Sequence, residues 1–98
     1  MEVQYFEWDE QKNRLNFEKH GIAFSVAAKV FANEHIEYPS PRNDEERHIA
    51  VGEVNGKVIA VVYTIRYEKI RIISARRAWK KEERAYRTLP YRQSSRTH

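Results

Sequence analysis

The fold is decided by residues 47–65, which read RHIAVGEVNGKVIAVVYTI. Two β-prone runs, 47–54 and 57–65, flank Asn55-Gly56, a dipeptide that tolerates the positive φ angles of a two-residue type I′ turn. The run 58–62 is continuously apolar, which is typical of a strand covered on both faces. This stretch therefore predicts a β-hairpin whose second strand is buried.

Beyond the hairpin, the sequence predicts a third strand and a helix. A polar turn at 66–68 leads into a β-prone run at 69–75, so an antiparallel meander is expected. A helix is predicted over about 77–88, and Pro90 ends it because proline lacks the backbone N–H that a helix interior needs. One side of this helix forms a thin stripe that comprises Ala78, Glu82, Ala85, Tyr86 and Leu89.

The residues before the hairpin predict an edge strand and two helices. Val3–Trp8 is a short β-prone run. Asp9 is a suitable N-cap for a helix that ends at residue 19 or 20, where Gly21 fits the left-handed closing position. Ser25 is expected to cap a second helix, whose apolar stripe comprises Phe24, Ala27, Ala28 and Phe31.

The predicted architecture is α+β, with two N-terminal helices, an antiparallel β-meander sheet and a C-terminal helix. Residues 39–46 combine two prolines with turn formers and charge, which predicts a surface loop before the meander. At 98 residues the chain makes one domain, expected over 1–89. The basic tail, 90–98, has almost nothing to bury and is expected to be flexible.

The composition favours a polyanionic partner. Lysine and arginine total 18 against 14 acidic residues, which gives a net charge of +4 and makes nucleic acid the first partner to consider. The absence of cysteine excludes disulfides and thiolate chemistry. The four histidines, at 20, 35, 48 and 98, show no metal-binding spacing, so neither a metal nor a cofactor is expected. The acidic start and the lack of long apolar runs predict a cytoplasmic protein with no membrane segment.

The predicted pairing of the strands sets two arginines beside a hydroxyl group. A turn at 55–56 places Arg47 opposite Thr64 and His48 opposite Tyr63, and a turn centred on 67–68 places Thr64 opposite Arg71. Arg47, Thr64 and Arg71 then form a row suited to a phosphodiester and its developing negative charge. The alternative is that these arginines form ion pairs at the sheet rim, with Glu45, Glu46 or Glu68.

Two more arginines, Arg76 and Arg77, fall at the predicted junction between the third strand and the last helix. Unpaired N–H groups at a helix start favour an anion there. A cation at this position is unfavourable by about 0.3–1 kcal/mol, which suggests a functional reason for it. A rim salt bridge to Glu82 or Glu83 is the alternative explanation.

The first predicted helix carries a polar face. Its members follow steps of three and four residues and comprise Asp9, Lys12, Asn16, Lys19 and His20. The two lysines are candidate phosphate ligands, and the imidazole is a candidate proton-transfer group. A solvated helix surface explains the same pattern equally well.

Short motifs follow one another in a characteristic order along the chain. They are Phe6-Glu-Trp-Asp9, Lys12, Asn16, Lys19-His20-Gly21, Phe24, Glu46-Arg47, Gly52, Tyr63-Thr64, Arg71-Ile-Ile-Ser-Ala-Arg-Arg77, Glu83-Arg84 and Tyr86. The set resembles the BrnT family over about residues 5 to 88, and its W-D-x-x-K, K-H-G and R-I-I-S-A-R-R blocks occur together in the right order.

The resemblance implies both an activity and a partner. BrnT proteins are the toxins of type II toxin–antitoxin pairs, with a fold similar to the RelE ribonucleases. An endoribonuclease that arrests translation is therefore implied. A BrnA-type antitoxin is implied to neutralise it in a complex of two toxins and two antitoxins, and operator DNA is bound only through the ribbon-helix-helix part of the antitoxin.

In such an activity the 2′-hydroxyl of the RNA would attack the adjacent phosphorus, so that no metal and no protein nucleophile would be needed. The residues assigned to this reaction by position and type are Arg47, Arg71 and Arg76 for charge stabilisation, Tyr63, His20 or Glu46 for proton transfer, and Lys12, Lys19, Thr64, Arg77 and Arg84 for RNA binding.

Trp79 departs from the family pattern, in which a threonine commonly follows R-R-A and caps the last helix. Loss of the Thr-x-x-Glu capping box predicts a helix start that is shifted or looser. Trp79 is then left for packing or for a partner.

Two other functions fit the same residues. One is a module that binds nucleic acid or an acidic antitoxin without cleaving a bond. The other is a structural subunit that sequesters its antitoxin and shows no salt-dependent binding of RNA.

Overall fold

The computed structural model describes residues 5–42 and 44–88, which fold as three helices and a five-stranded sheet. In chain order the elements are β1 (Phe6–Glu7), α1 (Glu10–His20), α2 (Phe24–Ala27), a 3-10 segment (Ala28–Ala32), β2 (His35–Pro39), β3 (His48–Val54), β4 (Lys57–Arg66), β5 (Lys69–Arg77) and α3 (Lys80–Thr88). The predicted α+β class is confirmed. Within these residues, no helix combines the length and the apolar character needed to cross a membrane.

The strand order across the sheet is β1-β5-β4-β3-β2. The edge strand predicted at Val3–Trp8 is present but short, and Val3 and Gln4 lie outside the described residues. The expectation of a wholly antiparallel sheet is wrong, because β1 runs parallel to β5 with Phe6 opposite Ile70. Helices rather than a tight turn separate β1 from the meander, so the connection does not force opposite directions.

Both predicted turns of the meander are present. Asn55 and Gly56 have φ angles of 54° and 81°, as a type I′ turn requires. Tyr67 and Glu68, at the tip of the second hairpin, also have positive φ angles, of 52° and 65°. Side chains other than glycine are uncommon in this conformation.

The register of the meander is the predicted one where the sheet carries its arginines. His48 lies opposite Tyr63, and Thr64 lies opposite Arg71. Between Val62 and Tyr63 of β4, the pairing with β5 shifts by one residue. The shift is a β-bulge, in which β5 carries one extra residue. The bulge lies beyond Thr64 and Arg71 and leaves their pairing intact, whereas Arg47 precedes β3, so its predicted pairing with Thr64 stays a prediction.

The strand β2 was not predicted, and it shortens the loop expected at 39–46. Its sequence, His35-Ile-Glu-Tyr-Pro39, has too few apolar residues to suggest a strand, and it ends in proline. Proline is tolerated here because β2 is an edge strand, where one side of the backbone needs no partner. The rest of the loop turns tightly through paired Arg42 and Glu45, and Asn43 lies outside the described residues.

Each face of the sheet carries its own core. The α1–α2 face is the one covered by α1, α2 and the 3-10 segment, and its largest fully buried side chains are Phe24, Val30, Val61 and Ile72. The α3 face is the opposite one, where Tyr86 packs against a cluster that includes Ile49, Val51, Val58 and Ala60. Both faces of β4 are therefore covered, as the apolar run at 58–62 predicted.

The first helix is bounded as predicted and anchored by a polar side chain. The Asp9 carboxylate accepts from the Lys12 N–H at 3.1 Å, and Gly21 closes the helix with a φ of 72°. Asn16 is 8% exposed, and its side-chain amide donates to the carbonyls of Ile22 and Ala75 at 2.9 Å. Asn16 is thus a structural bridge between α1 and β5 and not part of a solvated face.

The second helix starts two residues earlier than expected. Ser25 is not its cap, because α2 begins at Phe24 and the residue before it, Ala23, has no side chain able to cap. The carboxamide oxygen of Asn13, on α1, accepts from the Phe24 N–H at 2.8 Å instead. A cap from a neighbouring helix satisfies the same backbone donor.

The junction after β5 differs from the prediction. The strand continues through Arg77, and the Ala78 N–H still donates to the Val58 carbonyl at 3.0 Å. The last helix therefore starts at Lys80 and not at Arg77, so the two arginines lie in a strand and not at a helix start. Leu89, Pro90 and the tail lie outside the described residues, and the predicted domain limits stay predictions.

Candidate functional site

Among the described residues, α3 packs over one end of the α3 face. The helix packs over the end of the sheet near Val58 and Ala60, while the strand segments at the other end carry polar side chains. Alternation of side chains along the strands places one set of residues at that other end of the α3 face. The set, called here the open half, comprises Arg47, Val62, Thr64, Arg66, Lys69, Arg71 and Ser74.

Thr64 lies at the centre of the predicted row, but its hydroxyl is already bound. Its side chain is nearly buried, at 5% exposure, and its Oγ1 donates to the Glu46 carbonyl at 2.6 Å. The contact fastens the segment that leads into β3 to β4. Because its hydroxyl hydrogen is already used in this contact, Thr64 serves to position the neighbouring Arg47 rather than to donate to RNA.

The two arginines of the row are held by weak, exposed ion pairs. Arg47 binds Glu45, with both Nε and Nη2 at 2.9 Å from Oε1, which was one of the predicted alternatives. Arg71 lies 3.5 Å from Glu7 on β1, a partner that the sequence did not predict. Ion pairs this exposed contribute about 0–1 kcal/mol each to stability, so a phosphate can displace the carboxylates with only a small loss of free energy.

Arg76, the third predicted catalytic arginine, is bound far more tightly. Its Nη1 and Nη2 donate to the two carboxylate oxygens of Glu82 at 2.8 and 2.9 Å. Glu82, only 4% exposed, also accepts from the Tyr38 hydroxyl and from the Trp79 N–H. We call these four residues, Tyr38, Arg76, Trp79 and Glu82, the Glu82 cluster. The rim salt bridge considered as an alternative is present, but as a buried pair.

The protonation states within the Glu82 cluster follow from these contacts. Burial raises the pKa of Glu82, but the hydrogen bonds from Arg76 and Tyr38 outweigh it and hold that pKa below 4.5. Burial and the adjacent carboxylate raise the pKa of Tyr38 to about 12. Glu82 is therefore ionised and Tyr38 neutral at physiological pH.

The bulge in β5 decides which arginines share a face. Arg71 and Arg76 are five residues apart, and an odd spacing in a regular strand puts side chains on opposite faces. Here Arg71 lies opposite Thr64 and Arg76 opposite Ala60, residues an even number apart on β4. The extra residue in β5 thus brings both arginines to the α3 face.

Tyr63 lies on the other side of the sheet from the arginine row. It is 4% exposed and packs edge-on against Phe31, with ring centroids 4.9 Å apart. Burial, followed by the negative charge of Glu37, raises the pKa of its hydroxyl well above the usual value. The structure does not bring this predicted proton-transfer residue together with Arg47 and Arg71.

Tyr63 instead belongs to a polar cluster that the sequence did not predict. His35 is 6% exposed and places Nδ1 at 2.8 Å from the Asn33 carbonyl and Nε2 at 2.8 Å from a Glu37 oxygen. Carbonyl and carboxylate oxygens only accept, so these two contacts favour the imidazolium form of His35, in which both ring nitrogens donate. Burial lowers the pKa of His35, but the hydrogen bonds to Glu37 and Asn33 outweigh it and raise the pKa above 6.5.

The remaining predicted site residues are dispersed. Lys12, Lys19 and His20 are exposed on α1, which covers the face opposite to the arginine row. Arg77 is exposed and lies opposite Ile59, also on the α1–α2 face. Arg84 is exposed on α3, and Glu46 is exposed beside Arg47.

Glu82 had a detectable signal in the sequence, because a glutamate stands in the apolar stripe of the last helix. The other missed residues, His35, Glu37 and Tyr38, lie on β2, and their role depends on a strand that has no clear hydrophobic pattern.

The pair formed by His35 and Glu37 predicts a stability that declines on both sides of weakly acidic pH. The raised pKa of His35 means that its contribution is complete below 6.5 and is lost as the pH rises through the folded value. The hydrogen bond from His35 lowers the pKa of Glu37, so the contribution of Glu37 is complete above 4.5 and is lost at lower pH. Urea denaturation of the wild type and of His35→Gln, between about pH 5 and pH 9, measures the difference. We expect that difference to shrink as the pH rises, and a constant difference would contradict the assignment.

Comparison with known proteins gives a family and a similar solved structure. Residues 8–82 match the model of a family described as ribonuclease toxin, BrnT, of type II toxin-antitoxin system. A crystal structure of the Brucella abortus ribonuclease toxin BrnT is similar, with 30% identity, a TM-score of 0.67, and coverage of 80% of this chain and 100% of that one. Comparison with proteins of curated function gave no match. The chain belongs to the BrnT family of ribonuclease toxins of type II toxin–antitoxin systems.

Proposed function

We propose that the open half of the α3 face binds and cleaves single-stranded RNA without a metal ion. The observation that supports this is a pair of guanidinium groups near Thr64: Arg71 lies opposite Thr64, and Arg47 follows Glu46, whose carbonyl Thr64 binds. Guanidinium forks bind phosphate oxygens bidentately, and both carboxylate partners here are weakly bound and displaceable. Exposed Arg66 and Lys69 extend the same positive surface.

The proposed reaction uses the substrate's own nucleophile. The 2′-hydroxyl attacks the adjacent phosphorus, the bond to the 5′-oxygen of the next nucleotide breaks, and a 2′,3′-cyclic phosphate and a 5′-hydroxyl remain. Arg47 and Arg71 stabilise the negative charge that develops on the phosphoryl oxygens. Of the three predicted proton-transfer residues, Glu46 is the one beside this row and is the candidate we retain, whereas Tyr63 and His20 lie on the opposite side.

The biological setting follows from family membership. A type II toxin has a protein antitoxin, and we propose that it is a BrnA-type protein with a ribbon-helix-helix part, in a complex of two copies of each chain. Covering the open half would block RNA access and neutralise the activity. Free toxin in the cytoplasm would cleave RNA and thereby arrest translation.

Incubation of the purified protein with end-labelled RNA in the presence of a chelator tests the reaction. We expect cleavage to continue without divalent metal and to yield fragments ending in a 2′,3′-cyclic phosphate. The matched substrate is the same RNA with every 2′-hydroxyl methylated, which should stay intact because the nucleophile is blocked. Cleavage of that blocked substrate, or a strict metal requirement, would contradict the mechanism. Binding without cleavage, with and without ribosomes, would favour the non-catalytic binding module.

A further inference from the structure

Trp79 is exposed and yet firmly held. Its side chain is 60% exposed at the junction between β5 and α3. Its backbone N–H donates to Glu82 at 2.8 Å, and the guanidinium of Arg76 lies 3.8 Å from its ring centroid. Large aromatic side chains left in water and ordered at the same time are typical of binding surfaces rather than of a core.

The cation beneath the ring is itself immobilised. Arg76 is gripped by both oxygens of Glu82, at 2.8 and 2.9 Å, and its side chain is only 17% exposed. One face of the indole is therefore covered by a guanidinium that cannot readily rotate away, while more than half of the side chain remains open to solvent. Because folding already orders the side chains of Arg76 and Trp79, binding at this site loses less conformational entropy.

The position of this ring relative to the open half points to its ligand. Arg76 and Arg71 lie on the same face of β5 because of the bulge, with Ser74 between them. Five residues of strand span about 15 Å, a distance that a few nucleotides of single-stranded RNA can bridge. A strand whose phosphates lie on Arg47 and Arg71 can therefore extend along β5 to Trp79.

We propose that Trp79, backed by Arg76, is a stacking platform for one unpaired base of the bound RNA. The proposal rests on the proposed function, since it adds a base-binding subsite to a phosphate-binding row. The chemistry suits RNA: every base offers a flat π face, and the guanidinium supplies positive charge near the backbone. The hydrogen bond from Trp79 to Glu82 is made by the backbone N–H and not by the ring, so capping of the helix does not use the indole.

Binding of a short, fully 2′-O-methylated single-stranded RNA, measured by fluorescence anisotropy, tests the platform without interference from cleavage. We expect Trp79→Ala to weaken binding about tenfold and Trp79→Phe to weaken it less, since phenylalanine retains a smaller ring. The matched control is Phe17→Ala, which removes an aromatic ring of comparable exposure, 55%, from α1 on the opposite side of the sheet. That variant should bind like the wild type.

A second probe separates stacking from other effects. On an RNA backbone of the same length without bases, the wild type and Trp79→Ala should bind equally, because the platform acts only on a base. Equal losses on both probes, or no loss on either, would overturn the proposal. Unchanged RNA binding together with weakened binding of the antitoxin would also overturn it and assign Trp79 to a protein contact. If the wild type neither binds nor cleaves RNA, the proposed function itself fails, and this outcome is distinct from a wild type that cleaves while Trp79 is irrelevant.

Discussion

Arg76→Ala is expected to destabilise the protein by about 3–5 kcal/mol, the largest change in stability that we predict. Glu82 is 4% exposed, and Arg76 donates to both of its oxygens. Removal of the guanidinium leaves a buried carboxylate with only Tyr38 and the Trp79 N–H as donors. The loss of a partner by a buried charge is much more harmful than the loss of an exposed ion pair.

Equilibrium unfolding in urea measures this effect, and the chain offers a matched control in the next residue. Arg77 is exposed on the opposite face of the same strand, so Arg77→Ala should change the free energy of unfolding by about 0.5 kcal/mol or less. Similar losses for Arg76→Ala and Arg77→Ala would show that the Glu82 cluster does not carry the stability. The sequence had assigned Arg76 to charge stabilisation in the cleavage reaction, whereas the contacts predict that Arg76→Ala loses activity because the protein is destabilised.

The features predicted correctly depend on local chemistry. The Asn55-Gly56 turn fixes its own register because two positive φ angles allow few alternatives, and that register brings His48 opposite Tyr63. The start and end of α1 follow from the side chain of Asp9 and the flexibility of Gly21. In each case the decisive interaction lies within a few residues along the chain.

The features missed depend on polar groups that meet across the fold. Asn16 reaches Ala75, and Tyr38 reaches Glu82, over separations that no local pattern records. The polar face of α1 therefore looked solvated, and Arg76 looked available for catalysis. Hydrophobic periodicity identifies the apolar residues that face the core. It does not identify which buried polar groups will form hydrogen bonds with each other.

Arg71→Ala is expected to lower kcat/KM for RNA cleavage by about 10²–10³-fold while the protein stays folded. Removal of one preorganised donor to a developing oxyanion typically has an effect of this size. The partner of Arg71 is Glu7, 3.5 Å away in a pair that is about one-third exposed on both sides. Because an exposed pair of this kind contributes about 0–1 kcal/mol, urea denaturation of the variant should resemble that of the wild type.

Single-turnover cleavage of labelled RNA separates the catalytic role of Arg71 from simple attraction to phosphate. Arg71→Lys keeps the charge but not the planar fork, so it should recover binding more fully than the rate of cleavage. Glu7→Gln is the matched control, because it removes the ion-pair partner and leaves the guanidinium in place, and its cleavage rate should be equal to or above that of the wild type. Wild-type rates in Arg71→Ala, or losses of equal size in Glu7→Gln, would mean that the open half binds RNA or the antitoxin without stabilising the transition state. The arginine row would then be a docking surface, and the catalytic groups would have to be sought elsewhere on the molecule.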